Sequence, residues 1–267
     1  IGKSGMGKTR LLEQLIRYDI AANEGVGLID PHGDLAASIL DFVPKHRIQD
    51  VVYVDPSDAE YPIAFNPFAR VPATQRPNVA QSLAEIFKKQ FMSSWSPRME
   101  HLFRFATLAI VEQPEGTLYE LLRILTDAQA RQKAVSFLTD DVVKRFFAVE
   151  FAGFSQKYDH EAITPLTNRL GQFFADPFLR AIFTQTENKI DVAEIMNEGK
   201  ILIVNTSKGL LGEDNSSLLG AFFLTKINQV AMARSRIAEV NRREFYLYVD
   251  EFQNAATESF SSLFSES

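Results

Sequence analysis

The sequence opens Ile1-Gly2-Lys3-Ser4-Gly5-Met6-Gly7-Lys8-Thr9, and Gly2 to Thr9 fits the pattern G-x-x-x-x-G-K-T. This is the signature of a loop that wraps phosphate groups. Gly5 and Gly7 let the backbone close around an anion, so that successive N–H groups point inward. The helix that follows adds its positive end. In this pattern Lys8 reaches the β- and γ-phosphates and Thr9 offers a hydroxyl to Mg2+, so the loop implies ATP and Mg2+ as ligands. Gly2, Lys3, Ser4, Gly5, Met6, Gly7, Lys8 and Thr9 are the expected nucleotide-binding residues. Thr9 opens a helix with Leu11, Leu12, Leu15 and Ile16 spaced to face a core. Such a loop follows a buried strand, and only Ile1 precedes it here. The expectation is a fragment whose central strand lies upstream.

A second stretch completes the first. Phe245-Tyr246-Leu247-Tyr248-Val249 reads as a short buried strand, and Asp250-Glu251 stand at its carboxyl end. Beside a phosphate loop, Asp250 is expected to hold Mg2+ through water. Glu251 is expected to act as the base that polarises the attacking water. Three more strands are predicted: Gly25 to Ile29, Val51 to Val54 and Lys200 to Val204. In open α/β sheets, ligands gather at the carboxyl ends of the strands. Asp30 and His32 therefore either approach the γ-phosphate or form a tight turn before a helix capped by Asp34. Asn205 is a candidate nucleotide sensor or an ordinary loop residue.

Between about residues 70 and 190 the strand pattern vanishes and helical signals replace it. Met99, Leu102, Phe103, Ala106 and Ile110 share one helical face. Thr117 with Glu120 and Asp191 with Glu194 form capping boxes. Asp127 caps a further helix, Asp176-Pro177 supplies a cap and an N1 proline, and Gly199 suits a helix end. Ser216 to Arg236 reads as one long helix. The expected architecture is a three-layer α/β nucleotide domain interrupted by an all-α module, with a first core part at 1–69, the insertion at 70–190 and a second core part at 191–267. The 22 phenylalanines read either as stacking platforms for nucleic-acid bases or as helix-core packing, and packing is the favoured reading.

Composition narrows the classes further. The chain has 267 residues, with 46% hydrophobic and 23% charged residues, which excludes a disordered chain. It has no cysteine, so a disulfide framework, a thiolate zinc site and a cysteine nucleophile are all excluded. The net charge is -6, yet residues 70–190 carry 15 Lys+Arg against 13 Asp+Glu. The longest apolar run, Leu218 to Leu224, is far short of the ~18 residues of a membrane span.

With these residues in place, the chain resembles the conjugative coupling ATPases of type IV secretion, the TraG/TraD-like proteins within the HerA–FtsK class of ring motors. The resemblance rests on the Gly2–Thr9 loop, Ile29-Asp30-Pro31-His32-Gly33-Asp34, Phe65-Asn66-Pro67-Phe68, Trp95-Ser96-Pro97-Arg98-Met99-Glu100-His101, Asn205-Thr206-Ser207-Lys208-Gly209 and Phe245 to Asn254. It implies a RecA-like P-loop NTPase fold with an inserted all-helical domain. It further implies an ATPase that assembles as a homo-hexamer, threads DNA through its channel and works with secretion-apparatus proteins. Its place would be cytoplasmic, at the inner face of the membrane, with attachment only through segments outside this sequence. Ring motors of this kind use an arginine that reaches a neighbour's γ-phosphate. Arg169 and Arg180 are the candidates, though a surface or salt-bridge residue is the favoured reading of each. Ser96 departs from the glycine expected in the Trp-x-Pro-Arg turn, and the strand carrying the family's polar sensor would lie beyond Ser267. Two rival functions stay open: a secretion ATPase that powers export or assembly without gripping DNA, and a nucleotide-gated scaffold that does not hydrolyse.

Overall fold

The computed structural model describes residues 7–56, 58, 60–69, 71–91, 94–154, 159–257 and 260. In chain order, its first elements are α1 (Lys8–Ala21), β1 (Gly25–Asp30), α2 (Asp34–Phe42) and β2 (Val51–Val54). The helices α3 (Arg76–Phe91), α4 (Pro97–Val111), α5 (Leu118–Thr126), α6 (Ala128–Phe137), α7 (Asp141–Arg145), α8 (Thr164–Ala175) and α9 (Pro177–Phe183) follow. Then come α10 (Val192–Glu198), β3 (Ile201–Asn205), α11 (Lys208–Ala233), β4 (Phe245–Val249) and α12 (Phe252–Ala255). The chain divides into two compact units, Ile1–Ile63 with Ile190–Ser267, and Ala64–Lys189.

The first unit is built on a parallel sheet of order β2-β3-β1-β4. β1 pairs with β3 from Val26↔Ile201 to Asp30↔Asn205 and with β4 from Gly25↔Phe245 to Ile29↔Val249. Unbroken apolar runs such as Ile201 to Val204 are what strands covered on both faces require. On one face, Val26, Leu28, Ile201 and Ile203 meet Ile16 and Ile20 of α1 and Leu35, Ala36 and Ile39 of α2. On the other, Gly220 of α11 lies against Ile29, Thr206 and Ala255. Gly27 of β1 makes room for the Phe245 ring of β4, which would stand 3.0 Å from a Cβ there. The ring fills the space that a side chain would take.

Two guanidinium groups gather the amino ends of the strands. Arg47 is 1% exposed. It donates from Nη1 to the Glu24 carbonyl at 2.8 Å, from Nη2 to the Gly199 carbonyl at 2.6 Å and from Nε to Asp50 at 2.9 Å. Those acceptors stand just before β1, β3 and β2. Arg243, just before β4, donates to the carbonyls of Glu198 and Asn23, each at 2.7 Å.

Three details depart from the sequence expectation. In α1 the sheet meets Leu12, Ile16 and Ile20, whereas Leu11 and Leu15 are 58% and 44% exposed. β4 is the edge strand among the described residues, so nothing described lies beyond it to meet the flank of α1 that carries them. α2 is not capped by Asp34; Gly33 takes the N-cap place, and Asp30 reaches over from the strand end to accept from Ala36 N–H at 2.9 Å. α11 consists of a short turn from Lys208 and a long helix that meet at a kink, Gly212 with φ 77 and ψ 167, so the long stretch starts just after Gly212, a few residues before the predicted Ser216.

The described residues of the second unit form helices and turns alone. The predicted N-cap bonds form, Thr117 accepting from Glu120 N–H at 3.3 Å and Asp127 and Asp176 each from two N–H groups, whereas the carboxylates of the two expected capping boxes turn elsewhere, Glu120 to Arg123 and Glu194 to Lys200. In the first unit Asp191 also accepts from two N–H groups, and Gly199 ends α10 in the left-handed region. Ser96 caps α4 at φ −95, accepting from Met99 N–H at 3.2 Å, so this turn has no need of glycine. Phe146, Phe147, Phe173 and Phe174 are all buried, as are Phe222 and Phe223 of α11, so these rings are core packing. Buried Asn66 donates to the carbonyls of Gly116 and Thr186 and accepts from Phe68 N–H. The two ends of the unit are joined where Lys189 N–H donates to the Ala64 carbonyl at 3.1 Å.

Candidate nucleotide site

Topology brings the start of α1 and the Asp250-Glu251 end of β4 to one edge. The strands are parallel, so Asp30, Asn205 and Asp250 all stand at the carboxyl ends. α1 has 14 residues, roughly 21 Å, and runs back against six-residue β1, roughly 20 Å. The start of α1 is therefore level with the same edge. Tyr248 fixes the spacing between α1 and β4: its hydroxyl donates to the Asp19 carboxylate, which is 8% exposed. Burial first, then that carboxylate, raises the Tyr248 pKa and keeps the proton on the phenol. Tyr248→Phe is expected to lower stability by about 1–3 kcal/mol, because it removes the donor from a buried carboxylate. Urea unfolding with an unchanged m-value checks this.

Gly7 caps α1 at φ 77, a conformation suited to glycine, and as N-cap it supplies no side-chain acceptor to the first-turn N–H groups. A Cβ at Gly7 would meet nothing within 4 Å. Gly7, Lys8 and Thr9 are exposed. The N-terminal N–H groups of a helix, a cation and a hydroxyl are donors of the kind that fit a phosphate group with its Mg2+. Gly2, Lys3, Ser4, Gly5 and Met6 lie outside the described residues. Asp250 extends the β4 ladder, its N–H donating to the Ile29 carbonyl at 3.0 Å. One oxygen of its carboxylate, Oδ1, accepts from Glu251 N–H at 3.0 Å. Glu251 is left-handed at φ 48, unusual for a residue with a Cβ, and its Oε2 accepts from the Gln253 amide. Among the described residues no three acidic or histidine side chains cluster to hold a metal by themselves. A Mg2+ here would rest on Thr9, the Asp250 water shell and the phosphate oxygens.

The other candidates are placed as follows. Asp30 is fully buried, and its two oxygens accept from His32 N–H and Ala36 N–H, each at 2.9 Å. His32 is exposed beside it. Asn205 accepts from Ser207 N–H at 3.0 Å and donates to the Tyr53 hydroxyl at 3.2 Å, which donates to Asp55 at 3.1 Å. Burial raises the Tyr53 pKa, against the Asn205 hydrogen bond. In the helical unit, Arg169 lies over the Phe91 ring at 5.4 Å, and Arg180 donates to the Phe174 carbonyl at 3.0 Å. Sequence reasoning missed Tyr53, Asp19 and Gln253. Strand alternation carried a signal for one of them, since it turns the polar end of Tyr248 toward α1, where a buried phenol needs a partner.

Solved structures share this fold. The plasmid coupling protein TrwB in complex with the non-hydrolysable GTP analogue GDPNP matches with a TM-score of 0.64 at 14% identity, over 99% of this chain and 58% of that one. The chain has the fold of the conjugative coupling proteins. TrwB in complex with ADP and Mg2+ matches with a TM-score of 0.58 at 15% identity, over 93% of this chain and 55% of that one. The unbound monoclinic form of the bacterial conjugative coupling protein TrwBdeltaN70 gives 0.61 at 14% identity, over 96% and 55%. This chain thus spans little more than half the length of these coupling proteins. No protein-family model matches the sequence, and no curated protein matches it. The coupling-protein fold is a RecA-like P-loop NTPase core with an all-α domain, as the sequence resemblance implied. Among the described residues, no helix is long and apolar enough to cross a membrane.

Proposed function

We propose that this chain is the ATP-hydrolysing core of a motor that pumps DNA, or a DNA–protein substrate, through a type IV secretion apparatus. One observation supports the reading: the start of α1, with Lys8 and Thr9, and the Asp250-Glu251 end of β4 both lie along the carboxyl edge of a parallel sheet. Lys8 binds the β- and γ-phosphates, and the first-turn N–H groups of α1 hold their oxygens. Thr9 and Asp250 orient Mg2+, which when bound neutralises charge developing on the phosphate oxygens. Glu251 takes the proton of the attacking water at Oε1. The TrwB likeness supports the motor class, since solved TrwB structures hold nucleotide analogues and, in one case, ADP with Mg2+.

In this reading the working form is a homo-hexamer at the cytoplasmic face of the inner membrane. An arginine of the helical unit, Arg169 or Arg180, serves the neighbour's site, and Asp30, His32 and Asn205 sense the nucleotide. The net charge of -6 favours, as second reading, a secretion ATPase that does not grip DNA. ATP hydrolysis by the full-length protein, measured alone, with single-stranded DNA and with duplex DNA, separates the two. Stimulation by either DNA is expected. Hydrolysis indifferent to both would establish the export or assembly ATPase, and ATP binding without hydrolysis the gated scaffold.

A further inference from the structure

Glu251 does not stand alone. A general base needs one carboxylate oxygen aimed at the water and the rest of the group held still. Gln253 lies two residues along, in the first turn of α12, and its Nε2 donates to Glu251 Oε2. That leaves Oε1 to receive the proton. The left-handed backbone at Glu251, φ 48 and ψ 45, turns the chain sharply between the two residues and brings the amide back onto the carboxylate. The Asp250 carboxylate accepts from Glu251 N–H, so main chain and side chain of Glu251 are both tethered at this turn. An amide suits the task because it carries N–H donors and no charge. It can hold a carboxylate without neutralising it or competing with it for the proton, as a lysine or histidine would.

We propose that Gln253 is the positioning residue of Glu251: it clamps one carboxylate oxygen so that the other faces the attacking water. The inference rests on the reading of Glu251 as the base. In this role Gln253 acts through Glu251, to which its amide is bonded, so its effect should fall on turnover and not on binding.

The test uses the full-length protein in four forms: wild type, Gln253→Leu, Glu251→Gln and the double variant. ATP hydrolysis gives kcat and KM, and a fluorescent ATP analogue reports binding. Gln253→Leu keeps the bulk of the side chain and is expected to lower kcat by on the order of 10²-fold, with KM and analogue binding within about two-fold. Gln253→Asn, a shorter amide, is expected to recover part of the loss. Most tellingly, the double variant should be no slower than Glu251→Gln alone, because the clamp has nothing left to position. Unchanged kcat in Gln253→Leu while Glu251→Gln is inactive would overturn this inference and leave the base assignment standing. A multiplied loss in the double variant would overturn it as well. Full turnover in Glu251→Gln would overturn the base assignment and the inference together. Gln253 is exposed, so the variants should fold; if Gln253→Leu does not, Gln253→Ser takes its place in the same cycle.

Discussion

In the Glu251→Gln variant, nucleotide binding is expected to persist while ATP turnover falls by about 10²- to 10⁴-fold, the usual contribution of a positioned base. The reason is geometric. The groups expected to bind nucleotide, Lys8 and Thr9, lie on α1, whereas Glu251 lies at the end of β4. The substitution preserves size and removes only the capacity to accept a proton. It also leaves Asp250 intact, with its N–H on the Ile29 carbonyl, so the strand end should not shift. Binding of a fluorescent ATP analogue and steady-state phosphate release, measured on the same preparation, check both halves. Turnover within about three-fold of wild type would remove Glu251 from the role of base.

Replacing Arg47 by Met is expected to cost about 3–5 kcal/mol of stability, well beyond the loss of a single hydrogen bond. The reason is the number of groups left behind. Arg47 is buried, and it satisfies the Glu24 and Gly199 carbonyls together with Asp50, joining the amino ends of three strands. Methionine fills similar volume and donates nothing. Each buried carbonyl stripped of its donor costs about 1–3 kcal/mol. Arg47→Lys should recover only a fraction, since one ammonium cannot point three donors along the directions of a planar fork. Urea unfolding followed by circular dichroism reads the shift in midpoint. A loss below about 1 kcal/mol would mean that water replaces the guanidinium in the folded state.

Periodicity and punctuation made most of the fold legible. The run at Ile201 to Val204 is a covered strand, as its composition required, whereas Phe245 to Val249, expected to be buried, is half-exposed because it forms the edge of the described sheet; the side-chain caps at Thr117, Asp127, Asp176 and Asp191 announce their helices within a few residues of sequence. Legibility ended where a contact depends on residues far apart in the chain. Nothing near Arg47 points to Gly199, 152 positions away, nor anything near Asn205 to Tyr53 at the same separation. The exposure of Leu11 and Leu15 escapes the sequence for a related reason. Helical spacing reports which residues share a flank, whereas burial depends on whether a neighbour exists to cover it. Of the candidate site, Lys8, Thr9, Asp250 and Glu251 could be named because motif spacing encodes them. The left-handed turn that ties Glu251 to Gln253 could not, since neither residue type advertises that backbone.

The strand order carries a cost during synthesis. β1 and β2 are not neighbours; β3 lies between β2 and β1. β1 and β2 cannot pair with each other in this order, and the partner they share, β3, is made only after the whole helical unit. At about 5–20 residues per second, the nascent chain carries two apolar strands without their ladder for roughly 10–30 s. The hydrogen bond between Lys189 and the Ala64 carbonyl shortens what comes next. Once the helical unit has folded and joined its own ends, the loop between β2 and β3 shrinks from roughly 150 residues to an effective 20, easing closure by about 2 kcal/mol. The inserted unit thus acts on the sheet as a built-in folding aid, and a slow or unstable insertion would be felt first as aggregation of the strands that wait for it.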